Sequence, residues 1–203
     1  MFTVTLEQLR TNGACFDGYN KVVRMLQGQE FTEEDEDRES YIRFKHTEQI
    51  SLADICRNQG VIDALWATRC LDSVHDRDLR LYVVWCVRQF QHLLTDERSI
   101  RAIDVAERFA NGEATEKELD NVRRDALNSQ YDNYTSIAPA AHSAAAASVA
   151  HAAYRAAYYA VSDAACYTAY YAADTADYGT ERLEQTEMFI KMCEGTAPWQ
   201  TNN

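Results

Sequence analysis

The sequence predicts an all-α fold, a multi-helix bundle or short helical solenoid with closely packed Ala-rich helices. Three observations predict it. The stretch AHSAAAASVAHAAYRAAYYAVSDAACYTAYYAADTA, which ends at Ala176, is about half alanine and contains neither proline nor glycine. Alanine loses no side-chain entropy in a helix, so it has the highest helix propensity. Three segments, beginning at Thr5, Ser51 and Thr115, have the hydroxyl-x-x-acid/amide form of a capping box. Between them, apolar residues recur at steps of three and four.

Taken in order, Thr5-Leu-Glu-Gln8 opens a short helix that Asn12-Gly13 closes. A second helix is expected over 14–26, with Phe16, Tyr19, Val22, Val23 and Leu26 on its apolar face and Gly28 after its end. Residues 30–39, EFTEEDEDRE, carry seven acids in ten positions and are expected to form a solvated loop. Residues 41–44 alternate in polarity, which predicts a short strand pairing with residues 2–5 as a minor N-terminal β-hairpin. Ser51-Leu-Ala-Asp54 starts a helix that ends at Gly60, and the next runs over 61–71. Asp76 is placed to cap a strongly apolar helix over 77–94. Thr95 is placed to cap a helix over 96–111, and Gly112 sits where a C-cap glycine belongs. Thr115-Glu-Lys-Glu118 opens a helix to about residue 134, which Pro139 breaks.

In the Ala-rich stretch the tyrosines do not share one face of a straight helix. Tyr154 and Tyr158 point one way, and Tyr167, Tyr171 and Tyr178 nearly the other. Ser162-Asp163 suits an N-cap between the two sets, which predicts helices over 140–161 and 163–178, or one helix with a register change. Alanine recurs at seven-residue steps, as at Ala150, Ala157 and Ala164, and predicts a close-packed seam. Thr180 is placed to cap a helix over 181–193, with 195–203 as a tail. The expected organisation is an N-terminal segment (1–50), a helical core (51–137) and an Ala/Tyr-rich region with its tail (138–203), together one compact unit.

The formal charge of −12 argues against direct, nonspecific nucleic-acid binding, which needs cations to displace counterions. It argues equally against anionic lipid. No run of about 20 uninterrupted apolar residues is present, so no membrane span is expected. MFTVTLEQLR lacks the basic-then-apolar order of a signal peptide. The six cysteines (15, 56, 70, 86, 166 and 193) are scattered without a Cys-x-x-Cys pair. That predicts free thiols in a reducing, cytoplasmic setting and no zinc site. Cys15 follows Gly13-Ala14 at a helix start, where a helix dipole lowers a thiol pKa. With no histidine near it in sequence, it is expected to pack in the core. His46, His75, His92, His142 and His151 form no ligand pattern, and a calcium loop would need its acids spaced rather than contiguous.

Two segments resemble known proteins. Thr5-Leu-Glu-Gln-Leu9 followed by Gly13-Ala-Cys15 resembles a segment found in phage and bacterial proteins. Residues 101–115, RAIDVAERFANGEAT, run into the Ala-rich region and resemble an Ala-rich helical family that includes immunity proteins of polymorphic toxin systems. The resemblance covers 77–176 and the first fifteen residues. It implies an accessory protein of phage or bacterial origin that binds and blocks another protein. It carries over no catalytic residue, and the acidic run has no counterpart in it.

No catalytic, cofactor or metal-binding residues are assigned. The candidate partner-binding residues are Glu33, Glu34, Asp35, Glu36 and Asp37, whose carboxylates could steer a basic partner or imitate DNA phosphates. To these are added Tyr154, Tyr158, Tyr159, Tyr167, Tyr170 and Tyr171, since tyrosine offers contact area at low entropy cost and a hydroxyl that tolerates water. The expected partner is a protein, basic or itself nucleic-acid-binding, such as a host-defence or nucleic-acid enzyme to be inhibited. A small helical enzyme and a structural protein that self-associates into a homo-oligomer are the alternatives. A solvated charge run contributes little to a core, so neutralising all five acids at once is expected to leave the fold intact.

Overall fold

The computed structural model describes residues 1–89, 91–94, 96–132 and 178–201. The expected Ala-rich helices, the expected seam at Ala157 and Ala164, Cys166, and the candidate residues Tyr154, Tyr158, Tyr159, Tyr167, Tyr170 and Tyr171 fall outside the described residues. The described residues form an all-α fold with one small antiparallel strand pair near the N-terminus.

Strand β1 (Thr3–Val4) pairs with β2 (Ile50–Ser51), Val4 opposite Ile50 and Thr3 opposite Ser51. The pair is short, but Val4 and Ile50 are buried, and the Leu52 N–H donates to the Phe2 carbonyl at 3.0 Å. The expected partner, residues 41–44, is neither helix nor strand. Its backbone is held by the buried side chain of Asn20. That amide donates to the Ser40 carbonyl at 3.0 Å and accepts from the Ile42 N–H at 2.8 Å. The Tyr41 hydroxyl donates to the Ala14 carbonyl at 2.6 Å. Asn20 therefore supplies the bonds that a neighbouring strand would have given.

Helix α1 (Leu6–Thr11) has the expected capping box. The Gln8 N–H donates to Thr5 Oγ1 at 3.2 Å and the Thr5 N–H to Gln8 Oε1 at 2.8 Å. Helix α2 (Phe16–Gln27) buries Tyr19, Val22 and Val23 and stops at Gly28, whose φ of +65° is the left-handed cap that glycine adopts freely. The acidic run is not a featureless loop. Thr32 caps a single helical turn, α3 (Glu33–Glu36), through a second capping box that Asp35 completes.

Helices α4 (Leu52–Gln59) and α5 (Val61–Ala67) meet at Gly60, as expected. Helix α5 ends earlier than its apolar pattern predicts. The Thr68 hydroxyl bonds the Leu65 carbonyl at 2.7 Å and the chain tightens into a 3-10 turn, Thr68–Cys70. Helix α6 (Asp76–Arg88) has no side-chain cap: Asp76 is its first helical residue, not its N-cap. It also stops short of Leu94. The Gln89 side-chain amide donates to the Trp85 carbonyl at 3.1 Å, and a 3-10 turn, Gln91–Leu93, follows. Asp96, rather than Thr95, caps α7 (Glu97–Ala110), accepting from the Arg98 N–H at 2.9 Å. Helix α8 (Glu116–Asp132) opens on the expected Thr115–Glu118 box.

The chain re-enters as α9 (Tyr178–Glu194), so Thr180 lies within a helix instead of capping one. Helix α9 packs on α4 and α6. The expected tail carries a further turn, α10 (Pro198–Thr201), with Ala197 fully buried. Gln200 fastens it by donating to the Met192 carbonyl at 3.1 Å and to Asp78 at 3.0 Å. One buried cluster joins residues from Phe2 to Ala197. Tyr82 of α6 lies inside it, its hydroxyl donating to the Gln185 carbonyl at 3.1 Å and its ring meeting Phe189 edge-on at 5.5 Å.

Among the described residues the cysteines are free. Burial pushes the Cys70 thiol up to about 11, the Cys56 and Cys86 thiols up to about 12, and the Cys193 thiol higher still. Cys15 departs from expectation, being exposed instead of packed in the core. Two results are therefore expected. Dithiothreitol should leave the thermal midpoint unchanged. In a Cys166→Ser chain, a thiol reagent should label Cys15 while the fold protects Cys56, Cys70, Cys86 and Cys193. A midpoint that drops with reductant would reveal a disulfide.

Candidate functional site

The acidic turn is built from a buried ion pair. Asp35 is only 1% exposed. Arg24 of α2 grips both its oxygens, Nη2 to Oδ1 at 2.7 Å and Nε to Oδ2 at 2.9 Å. The Thr32 N–H and hydroxyl donate to the same carboxylate at 3.2 and 3.1 Å. Arg24, then the Thr32 bonds, hold the Asp35 carboxyl down at about 2 against the opposing effect of burial. Two-pronged, charge-assisted contacts of this kind fix orientation as well as charge. Asp35 therefore cannot belong to a surface that meets a partner. Its role is to anchor the turn. Glu33, Glu34, Glu36 and Asp37 are exposed around it, and Arg38 lies 3.6 Å from Glu34 and 3.9 Å from Asp35. The structure thus brings four of the five candidate acids together on the surface and takes the fifth inside.

A second feature has no counterpart in the sequence reading. A cavity of about 300 Å³ lies between the α1–α2 corner and the α4–α5 pair. Tyr19, Val22, Ile62 and Trp66 give it apolar walls, and Cys15, Gln59 and Asp63 also border it. Cys15 is the N-cap of α2, and its sulfur accepts from the Gly18 N–H at 3.3 Å. Glycine at 18 suits this arrangement, because a Cβ there would also stand 3.3 Å from that sulfur. Burial raises the Asp63 carboxyl above its ordinary value; Lys21 opposes this and Asp17 adds to it. Both amide atoms of Gln59 are buried and have no hydrogen-bond partner among the described residues. An unmade hydrogen bond on a buried polar atom costs about 1–3 kcal/mol. Sequence inspection could have flagged Cys15 as a cap, but nothing local marks Gln59 or Asp63 as neighbours of residue 15.

Arg69, Arg88 and His75 have structural partners. Arg69 stacks over Trp66 at 5.1 Å. Arg88 bonds Asp104 at 3.0 Å and pairs with Glu107, joining α6 to α7. His75 lies against Phe2 with ring centroids 4.2 Å apart, and burial lowers its pKa. Among the described residues, no group of three His, Cys, Asp or Glu side chains could hold a metal ion, and no helix is long and apolar enough to cross a membrane.

The fold and these features define an all-helical protein with an anchored acidic turn and a small, mostly apolar cavity. Comparison with protein-family models, with curated proteins and with solved structures found no match to this chain.

Proposed function

We propose that this chain is a non-enzymatic accessory protein that binds another protein and occludes its basic, nucleic-acid-binding surface. One observation carries the reading: the acidic run is folded and anchored. Four exposed carboxylates, on Glu33, Glu34, Glu36 and Asp37, surround a turn that the Arg24–Asp35 pair fixes. A turn that is already folded loses less backbone entropy when bound. A fixed anionic patch on a chain of net charge −12 also steers a cationic partner and speeds encounter. The partner is a basic protein such as a host-defence or nucleic-acid enzyme. In this reading the Ala-rich stretch supplies further contact area through Tyr154, Tyr158, Tyr159, Tyr167, Tyr170 and Tyr171. Free thiols at Cys56, Cys70, Cys86 and Cys193 suit work in the cytoplasm.

The test uses the proteins of a bacterial lysate that are retained on DNA-cellulose. The immobilised chain should capture a stoichiometric partner from that fraction at low salt, release it at high salt, and lose it to added duplex DNA. A variant carrying Glu33→Gln, Glu34→Gln, Glu36→Gln and Asp37→Asn, with Asp35 intact, should keep the wild-type circular dichroism. Its association should slow by about tenfold or more, with a flatter salt dependence and a smaller change in dissociation. Equal association rates for variant and wild type at low salt would overturn the acidic-turn reading.

A further inference from the structure

We propose that a groove between α1, α2 and residues 40–45 is a binding site for a small organic phosphate, a phosphate monoester on a compact ring-bearing body. The groove, of about 740 Å³, is bordered by Arg10, Arg43 and Lys45 and by Tyr19, Tyr41 and Phe44, and no Asp or Glu lines it. Acids outnumber Lys and Arg by 32 to 20 in this chain. Arginines elsewhere use that surplus, as Arg24, Arg57 and Arg88 do in their ion pairs. Arg10, Arg43 and Lys45 are exposed and make no ion pair or side-chain hydrogen bond with another described residue. The Asn20 amide and the Tyr41 hydroxyl hold residues 40–42 in place, which brings the two later cations to the groove that Arg10 borders. Tyr19 adds a polar group. It is only 5% exposed, yet its hydroxyl has no hydrogen-bond partner among the described residues. Burial raises its pKa, and the nearby charge of Arg10 opposes the rise.

Three uncompensated cations and a hydroxyl exceed what one carboxylate can satisfy. They suit a phosphate, with up to two charges and three acceptor oxygens. The groove's volume equals roughly 25 water molecules at about 30 Å³ each, so a phosphate leaves room for a body. Tyr41 and Phe44 give that body apolar contact, the usual source of affinity in a small-molecule site. The net charge of −12 sets the size of the ligand. Screening confines the pull of the three cations to about 10 Å at 0.1 M salt. One phosphate sees mainly those cations, whereas a nucleic-acid strand would carry further phosphates onto a chain with excess acid. The exposed acids of 33–37 contribute nothing to the lining, so this site stands or falls independently of the partner-binding reading.

Isothermal titration calorimetry at low salt tests the site. The probes are phenyl phosphate, adenosine 5′-monophosphate, inorganic phosphate, benzoate, adenosine and a short 5′-phosphorylated DNA strand. At least one of the two esters should bind about tenfold or more tightly than inorganic phosphate, benzoate or adenosine. Arg43→Gln with Lys45→Gln should weaken that ester by at least about tenfold and leave the circular dichroism unchanged, since both side chains are exposed. Arg10→Gln, on a separate element, repeats the test and should also weaken it. Tyr19→Phe keeps the ring, removes the one oxygen and should weaken the ester by about threefold or more. Arg101→Gln with Lys117→Gln removes two exposed cations outside the groove and should change nothing. No binding of either ester at about 1 mM, where a site of useful affinity is half filled, would overturn the site. So would a variant at Arg43 and Lys45 that binds like the wild type. Inorganic phosphate binding as tightly as both esters would overturn the ring-bearing body, and a DNA strand binding more tightly than both would overturn the small ligand.

Discussion

Phe189→Ala is expected to lower folding stability by about 3–5 kcal/mol, the range for deleting a fully buried aromatic side chain. Phe189 is completely buried and meets Tyr82 edge-on at 5.5 Å. The Tyr82 hydroxyl bonds the Gln185 carbonyl one turn earlier in α9. The side chain thus fastens the last long helix to α6, and its loss leaves a void that the surrounding core can only partly close. Urea denaturation followed by circular dichroism measures the effect. A loss below about 1 kcal/mol would mean that α9 is an accessory to the core and not a part of it.

Asp35→Asn is expected to lower the urea midpoint more than any single change at Glu33, Glu34, Glu36 or Asp37. It leaves the Arg24 guanidinium without its anion, whereas the exposed acids contribute little. Neutralising all five acids together is therefore expected to lower stability through the loss of Asp35, where a solvated loop would have lost little. The pH dependence carries a sign. The folded Asp35 carboxyl titrates at about 2, below its ordinary 3.8. Its stabilising contribution is fully present above the ordinary value and is lost as pH falls toward the folded one. The gap in stability between wild type and Asp35→Asn should hold from pH 7 to about pH 5 and shrink on acidification from there toward about pH 2. Arg24→Gln should be at least as harmful as Asp35→Asn, because it strands a buried carboxylate. The double change Arg24→Leu with Asp35→Leu should recover much of the loss, as apolar pairs of similar volume often do. A gap that does not change with pH would remove the ion pair from the account.

The helices themselves were largely legible in the chain. Thr5–Gln8, Thr115–Glu118, Gly28 and Gly60 act where their local chemistry puts them, because a cap or a left-handed glycine depends on residues three or four positions away. Boundaries failed where a side chain competed for a backbone carbonyl, as Thr68 and Gln89 do, or where a neighbouring residue made the better cap, as Asp96 does. The expected N-terminal strand pair is present, with Thr3–Val4 as one strand, but its partner is Ile50–Ser51 and not 41–44, for a different reason. Alternation at 41–44 is a weak signal, and Asn20, two dozen residues earlier at most, satisfies that backbone from another element.

The sequence by itself determined the all-helical class, the anionic character and the positions of most helix ends, because these follow from propensity, charge count and near-neighbour hydrogen bonds. Only the tertiary structure decided which acid is buried and which residues share a cavity. Within Glu33–Asp37 every side chain is acidic, so no apolar residue marks an inward face. The inward position is selected by Arg24, on a helix that only the folded chain brings alongside. Likewise Cys15, Gln59 and Asp63 become neighbours when the α1–α2 corner packs against α4 and α5. Contacts of that range depend on how whole helices dock, and docking is set by the summed fit of the buried faces instead of by any local motif.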